Sequence, residues 1–127
     1  MVESTKNQKN SNKDIAIITI NSTQNNTFLL AEDLQGKHLG ITSLGLVLKK
    51  KRGKRSIATG ALLASQEIAS KLIDLGYYKL YVKVKGCGRG RESAIFGLVS
   101  SGLIIEEIMD ITPIPHNGCR QKKARRI

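Results

Sequence analysis

The residues that decide the fold run from Tyr78 to Ile111 and read YKLYVKVKGCGRGRESAIFGLVSSGLIIEEIMDI. The first eight, Tyr78–Lys85, alternate between apolar and mostly basic side chains, which is the period of a β-strand. A short helix is predicted from about Ser93 to Ser101, and Leu103–Ile111 is predicted to form another strand. A strand–helix–strand unit within one sheet needs a right-handed crossover, so these two strands are predicted to be parallel.

The residues before this unit predict three short strands and one long helix. Asp14–Ile20 and Thr27–Asp33 flank the polar cluster NSTQNN, which indicates a hairpin, and a third strand is predicted at about His38–Ser43. Apolar residues at three- and four-residue spacings predict a helix that is capped by Ser56 or Thr59 and ends near Leu75. The predicted order is β-β-β-α-β-α-β, an α/β fold with a mixed β-sheet and flanking helices.

The length of 127 residues is enough for one domain with a substantial core, and residues 14–111 hold all the predicted elements. Residues 1–13 are polar and have neither an apolar signal region nor an Arg, so we expect a disordered N-terminal tail. Residues 112–127 contain Pro113, Pro115 and Gly118 and little apolar surface. They are therefore predicted to form an extended basic C-terminal tail.

The net charge of +11 is concentrated in three segments that contain no acidic residue. They hold 15 of the 21 Lys and Arg residues. Because a solvated charged surface usually mixes both signs, these segments favour a polyanionic partner, nucleic acid before an anionic membrane. No apolar run approaches the roughly 20 residues that span a bilayer, so no membrane partner is predicted. The segments are Lys49, Lys50, Lys51, Arg52, Lys54 and Arg55; Lys83, Lys85, Arg89 and Arg91; and Arg120, Lys122, Lys123, Arg125 and Arg126.

The glycine-rich sequence GCGRGR lies between a predicted strand and a predicted helix. The first N–H groups of a helix are unpaired and its dipole is positive there, so this position suits an anion. Gly86, Gly88 and Gly90 would let the backbone approach a phosphate closely, and Arg89 and Arg91 add charge and forked donors. The plainer alternative is a tight turn with solvated arginines.

Enzymatic alternatives fit the sequence poorly. A dinucleotide-binding loop would place its third glycine at position 91, which is Arg, although Asp110 ends the next strand as that motif requires. A Walker loop and a Ser/His/Asp grouping are absent from the sequence, and Glu106 and Glu107 are adjacent on a strand, so they point to opposite faces. No enzyme, cofactor or small-molecule substrate is predicted.

The two cysteines, Cys87 and Cys119, are expected to be free thiols because nothing marks the chain as secreted. A zinc site built from them with His38 and His116 lacks CxxC or HxxxH spacing, so no metal is predicted.

The sequence VKGCGRGRESAIFGLVSSG, followed by DITPIPHNGCR and a basic terminus, resembles the small-subunit ribosomal protein eleven family of the bacterial and organellar type. The resemblance covers about residues 14–127, including GYYKLYV, ALLASQEIA and the hairpin with Asn25, Asn26 and Thr27. It implies a ribonuclease-H-like α/β fold without catalysis, located on the platform of the small subunit near the mRNA exit path. It further implies binding to small-subunit rRNA and contact with neighbouring platform proteins.

The resemblance also implies which residues hold rRNA. Gly86, Gly88, Gly90, Arg91 and Ser93 would hold its backbone, and His116, Asn117, Gly118 and Arg120 would follow in the tail. With only 4% aromatic residues, we expect recognition of phosphate, 2′-OH and RNA shape rather than base stacking. The candidate rRNA-binding residues, with the basic segments added, are Lys49, Lys50, Lys51, Arg52, Lys54, Arg55, Lys85, Gly86, Gly88, Arg89, Gly90, Arg91, Ser93, His116, Asn117, Gly118, Arg120, Lys122, Lys123, Arg125 and Arg126.

Three features depart from the family pattern. Cys87 and Arg89 stand where the family usually has Pro, the segment between Gly40 and Gln66 looks longer than usual, and the basic terminus lacks paired prolines after Arg120. The abundance of Ile, Lys and Asn and the divergent segment favour a mitochondrially encoded copy, with the bacterial cytoplasm or a plastid as alternatives. A free-standing nucleic-acid chaperone that uses the same basic segments is the second functional hypothesis.

Overall fold

The structure is a computed structural model that describes residues 15–48 and 58–127. The predicted N-terminal tail and the basic segment from Lys49 to Arg55 lie outside the described residues. The elements, in chain order, are β1 (Ile15–Ser22), β2 (Thr27–Asp33), β3 (His38–Ser43), α1 (Leu44–Leu48), α2 (Ala58–Asp74), β4 (Lys79–Lys85), α3 (Gly90–Ser100) and β5 (Ile104–Asp110).

The strands form one five-stranded sheet in the order β3-β2-β1-β4-β5. The first three strands pair antiparallel, while β1 pairs parallel with β4 and β4 pairs parallel with β5. The predicted mixed sheet with flanking helices is therefore confirmed. No helix of the described ranges is long and apolar enough to cross a membrane.

The core lies between the helices and one face of the sheet. Every second residue of β1 and β4 is buried, including Ile18, Ile20 and Val82. Buried residues of α2 and α3, such as Ile68 and Leu98, complete the same cluster. The intervening residues of both strands are partly buried or, at Lys79, exposed, because the helices cover only the face that carries the buried residues. The period-two pattern that predicted these strands thus separates the core from the second face of the sheet.

Helices α2 and α3 pack closely because small residues face each other. A Cβ atom at Gly97 would overlap the hydroxyl oxygen of Ser65 and lie 2.9 Å from the carbonyl oxygen of Leu62. The Ser65 hydroxyl donates to that same carbonyl at 2.7 Å. Glycine at position 97 therefore sets the separation of the two helices.

The largest differences from the prediction are the start of one helix and the presence of another. Helix α3 begins at Gly90 rather than near Ser93, since Arg89 takes the N-cap position in a helical conformation and makes no side-chain capping bond. The short helix α1, Leu44–Leu48, was not predicted and follows β3 directly. A cap made without a side chain leaves no Ser, Thr, Asp or Asn signal in the sequence.

The strand directions give the sheet two unlike ends. At the loop end, formed by residues 22–27, 85–91 and 110–112, strands β1, β4 and β5 finish and β2 begins. At the turn end, formed by residues 33–38, 74–79 and 100–104, the chain reverses from β2 to β3, from α2 to β4 and from α3 to β5. Both α2 and α3 run from the loop end to the turn end, so their N-termini lie on the same side of the molecule.

Candidate nucleic-acid interface

Two loops of the loop end are joined by a backbone hydrogen bond. The hairpin loop between β1 and β2 is closed by the Thr23 N–H, which donates to the carbonyl of Asn26 at 2.8 Å. The side-chain oxygen of Asn26 accepts from the Thr27 N–H at 2.9 Å. The Gly88 N–H then donates to the carbonyl of Ser22 at 3.1 Å and joins the glycine-rich loop to this hairpin.

Three glycines make this junction possible. A Cβ atom at Gly86 would overlap the carbonyl oxygen of Ser22, and one at Gly88 would overlap that of Thr23. A Cβ at Gly90 would overlap the Thr27 hydroxyl and lie 2.9 Å from the Cβ of Ala61. The close approach that the sequence predicted for a phosphate is thus made by the hairpin of the same chain. Contact of these glycines with rRNA stays a prediction.

The two loops enclose a polar cleft with a volume of about 420 Å³. It is lined by Gln24 and Asn25 from the hairpin loop and by Cys87, Gly88 and Arg89 from the glycine-rich loop. The side chains of Gln24, Asn25 and Arg89 are exposed, and none of them appears among the side-chain hydrogen bonds of the described residues. The cleft therefore presents amide and guanidinium groups to solvent.

A ring of hydrogen bonds lies beside this cleft. The Arg91 guanidinium donates to the carbonyl of Gly86 at 3.1 Å and to the carboxylate of Asp110 at 3.0 Å. The other oxygen of Asp110 accepts from the Thr112 hydroxyl at 2.6 Å and from the Thr112 N–H at 3.0 Å. The Gly86 N–H donates to the Thr112 hydroxyl oxygen at 3.1 Å and closes the ring.

The ring stabilises the ionised form of the Asp110 carboxyl group. Bonds from the Thr112 hydroxyl and the Thr112 N–H, followed by that from Arg91, lower the pKa of Asp110 from 3.8 to about 2. Hydrogen bonds to a carboxylate favour its charged form, which explains the direction. Asp110 is thus engaged by the protein itself and carries a full negative charge at neutral pH.

The two helix N-termini add positive potential at the loop end. Ala58 and Thr59 at the start of α2 line a groove together with Glu92, Ser93 and Phe96 near the start of α3. The partial positive charges of two parallel helices therefore lie near each other, and the acidic Glu92 in the first turn of α3 partly offsets them. Ser93 borders this groove rather than the cleft.

The predicted tail residues are all exposed and lie outside regular structure. Residues 113–127 form no helix or strand, and Asn117 has a φ angle of 63°, which marks a local bend. His116, Gly118, Arg120, Lys122, Lys123, Arg125 and Arg126 are exposed. Thr112, the first residue of the predicted tail, is also a member of the ring.

The structure thus brings together the predicted residues of the glycine-rich loop, and the ring places the start of the predicted tail beside them. Sequence reasoning did not predict the roles of Ser22, Thr27, Asp110 and Thr112 at this site. From the sequence alone, Asp110 is related only to a dinucleotide-binding motif. The sequence Asp-Ile-Thr at the end of a strand was the available signal, because such residues readily bond their own backbone two residues on. Cys87 and Cys119 are free and exposed.

The family model and the relatives that match this chain define a structural ribosomal protein and not an enzyme. The model of the family described as Ribosomal protein S11 matches residues 16–126, so the chain belongs to that family. The predicted family is confirmed.

Curated relatives of both bacterial and organellar type support this membership. The small ribosomal subunit protein uS11 of Kosmotoga olearia is 42% identical over 123 residues, covering 97% of this chain and 94% of the relative. The protein uS11m of Prototheca wickerhamii is 44% identical over 116 residues, covering 91% and 89%. The protein uS11 of Desulfotalea psychrophila is 44% identical over 111 residues, covering 87% of each.

Proposed function

We propose that this chain is a structural constituent of the small ribosomal subunit that binds small-subunit rRNA through the loop end and the residues after Thr112. The observation that carries this proposal is the convergence at one end of the molecule of the polar cleft, the two helix N-termini and the start of a basic tail. Family membership supplies the ribosomal setting, and the loop end supplies the surface.

The chemistry of the loop end suits a phosphate backbone. Arg89 and the amides of Gln24 and Asn25 are exposed beside the cleft, and helix N-termini attract anions. Arginine offers a planar fork that matches phosphate oxygens, and an amide can bond a 2′-OH or a base edge. The cleft therefore fits an irregular RNA segment better than a regular duplex.

The tail would extend this surface by electrostatic contact. Arg120, Lys122, Lys123, Arg125 and Arg126 follow one another within seven residues and are all exposed. Such a segment binds phosphates without needing a fold of its own. In the free protein it adds little to stability, and on rRNA it adds contacts.

The finer assignments follow from the family resemblance. They are a location on the platform near the mRNA exit path, contacts with neighbouring platform proteins, and support of subunit assembly and translation. The mitochondrion is the proposed compartment, with the bacterial cytoplasm and the plastid as alternatives. The relatives of bacterial and organellar type have nearly the same percentage identity to this chain.

The test is a titration of a small-subunit rRNA transcript with the full-length protein at several salt concentrations. About 6 to 10 phosphate contacts would reduce the affinity by roughly 10³ to 10⁵ between 50 and 200 mM salt, by the rule for duplex DNA, with smaller slopes for RNA. A large-subunit rRNA transcript serves as the control for specificity. A nearly flat salt dependence would contradict the proposal. Sedimentation separates the chaperone alternative, since a structural constituent remains with salt-washed subunits.

A further inference from the structure

The ring formed by Gly86, Arg91, Asp110 and Thr112 joins three segments that are distant in sequence. Gly86 follows β4, Arg91 lies in the first turn of α3, and Asp110 and Thr112 lie at the junction of β5 with the tail. Both the N–H and the carbonyl of Gly86 are bonded to side chains of the ring. Each member has at least two partners within it, so the loss of one weakens the others.

We propose that Asp110 and Thr112 are positioning residues for RNA binding, which hold the glycine-rich loop and the start of the tail in one fixed arrangement. This inference rests on the proposed function, because it assumes that both segments contact the same RNA. The ring fixes the direction in which the chain leaves β5. Without it, RNA would have to order the loop and the tail separately, at a cost in affinity.

Loss of the Asp110 charge should change the affinity for RNA in the direction opposite to the one that simple electrostatics predicts. Asp110 is an acidic residue at a surface that is proposed to bind a polyanion. Removal of its charge should strengthen RNA binding if overall potential alone governed affinity. If Asp110 acts by positioning, its removal weakens binding, since the carboxylate accepts three of the hydrogen bonds that fix the site.

The chain provides a matched control on the same strand. Glu107 pairs in register with Tyr81 on the face of the sheet away from the helices, whereas Asp110 pairs with Val84, which is buried on the helix face. Glu107 is exposed and appears in no salt bridge or side-chain hydrogen bond among the described residues. Asp110→Asn and Glu107→Gln therefore remove the same charge, but only the first disturbs the ring.

The experiment measures the affinity of full-length variants for a small-subunit rRNA transcript at one salt concentration. Circular dichroism and thermal unfolding establish that each variant is folded. We expect Asp110→Asn to weaken binding about tenfold and Glu107→Gln to leave it unchanged or slightly stronger. Thr112→Val, which changes no charge, should weaken binding to a similar degree. Thr112→Ser, which keeps the hydroxyl group, should bind with the affinity of the wild-type protein. If Asp110→Asn binds as tightly as Glu107→Gln or more tightly, the inference is wrong.

Amide hydrogen exchange at Gly86 provides a readout that does not depend on RNA. The N–H of Gly86 donates to Thr112, so its exchange should become about tenfold faster in Asp110→Asn and in Thr112→Val, but not in Glu107→Gln. Unchanged exchange in both ring variants would overturn the inference. If the wild-type protein fails to bind rRNA, the proposed function fails, while the exchange data still decide whether the ring holds the loop. Should Asp110→Asn not fold, Thr112→Val and Thr112→Ser decide the outcome.

Discussion

Glycines lie at both ends of the sheet, but for different physical reasons. At the turn end, Gly36, Gly76 and Gly102 have φ angles of 83°, 91° and 91°, and a Cβ atom added at any of them would meet nothing within 4 Å. The N–H of each bonds a carbonyl three residues earlier. At the loop end, Gly86 and Gly88 lie against the hairpin, where a Cβ would overlap backbone. Turn-end glycines thus satisfy local geometry alone, whereas loop-end glycines join segments distant in the sequence, and Gly86 in addition has a positive φ of 93°.

The largest expected difference is between Gly88→Ala and Gly102→Ala. At position 88 a Cβ would collide with the Thr23 carbonyl, so the two loops must separate, and we expect about 3 kcal/mol of lost stability. At position 102 only the positive φ opposes alanine, which costs about 1 to 2 kcal/mol. Urea unfolding of both variants measures the difference. Equal losses would show that the junction of the loops does not depend on the missing Cβ.

A second comparison concerns the two arginines of the glycine-rich loop. Arg91→Ala should weaken rRNA binding by roughly tenfold or more, because the side chain bonds both Gly86 and Asp110. Arg89→Ala should weaken it by less than about fivefold, since Arg89 is exposed. Both variants lose one positive charge, so a titration at a single salt concentration compares them directly. A larger loss for Arg89 would mean that the tip of the loop makes the main contact.

The ionisation of Asp110 offers a smaller and more local test. Its carboxyl group should titrate near pH 2 in the folded protein, and Thr112→Val should raise the pKa toward 3.8 more than Arg91→Ala does, because the Thr112 hydroxyl is the largest cause of the shift. Since the folded-state pKa is the lower one, this carboxylate favours folding above pH 3.8, and its contribution disappears as the pH falls to about 2. Carboxyl chemical shifts in NMR measure both values. A pKa near 3.8 in the wild-type protein would mean that the ring is open in solution.

The smallest effect on stability is expected from removal of residues 120–127. These residues are exposed and form neither helix nor strand, so the free energy of unfolding should change by less than about 0.5 kcal/mol. The same truncation should weaken incorporation into the small subunit, because it removes five basic residues. Thermal unfolding and subunit reconstitution test the two parts. Marked destabilisation would show that the tail packs on the domain.

The fold was predictable because its signals are local. The bounds of β2 and β3 match the prediction, since polar turn residues flank both strands, and the alternation in Tyr78–Lys85 correctly separated the buried face of β4 from the other. The start of α3 was placed three residues late because its N-cap uses no side chain. The glycine-rich loop was predicted as a site from its spacing and its position before a helix.

The ring beside that loop could not be predicted in the same way. Its members stand at positions 86, 91, 110 and 112, and only the sheet register brings β4 and β5 together there. Likewise, the glycines that suggested close approach to a phosphate gave no indication that the neighbouring group was the carbonyl of Ser22. Contacts between distant segments depend on tertiary packing, which a single sequence pattern does not contain.

The position of β1 in the centre of the sheet has a consequence for the order of folding. One edge of β1 pairs with β2, its neighbour in the chain, while the other pairs with β4, from Ile15 with Lys79 to Asn21 with Lys85. All three strands of the meander have therefore been synthesised well before β1 can pair with β4. Closing the long intervening loop lowers chain entropy before the new contacts form, so we expect this parallel pairing to be the slow step of folding. Until α2 and β4 emerge from the ribosome that synthesises the chain, the edge of β1 that later pairs with β4 is open.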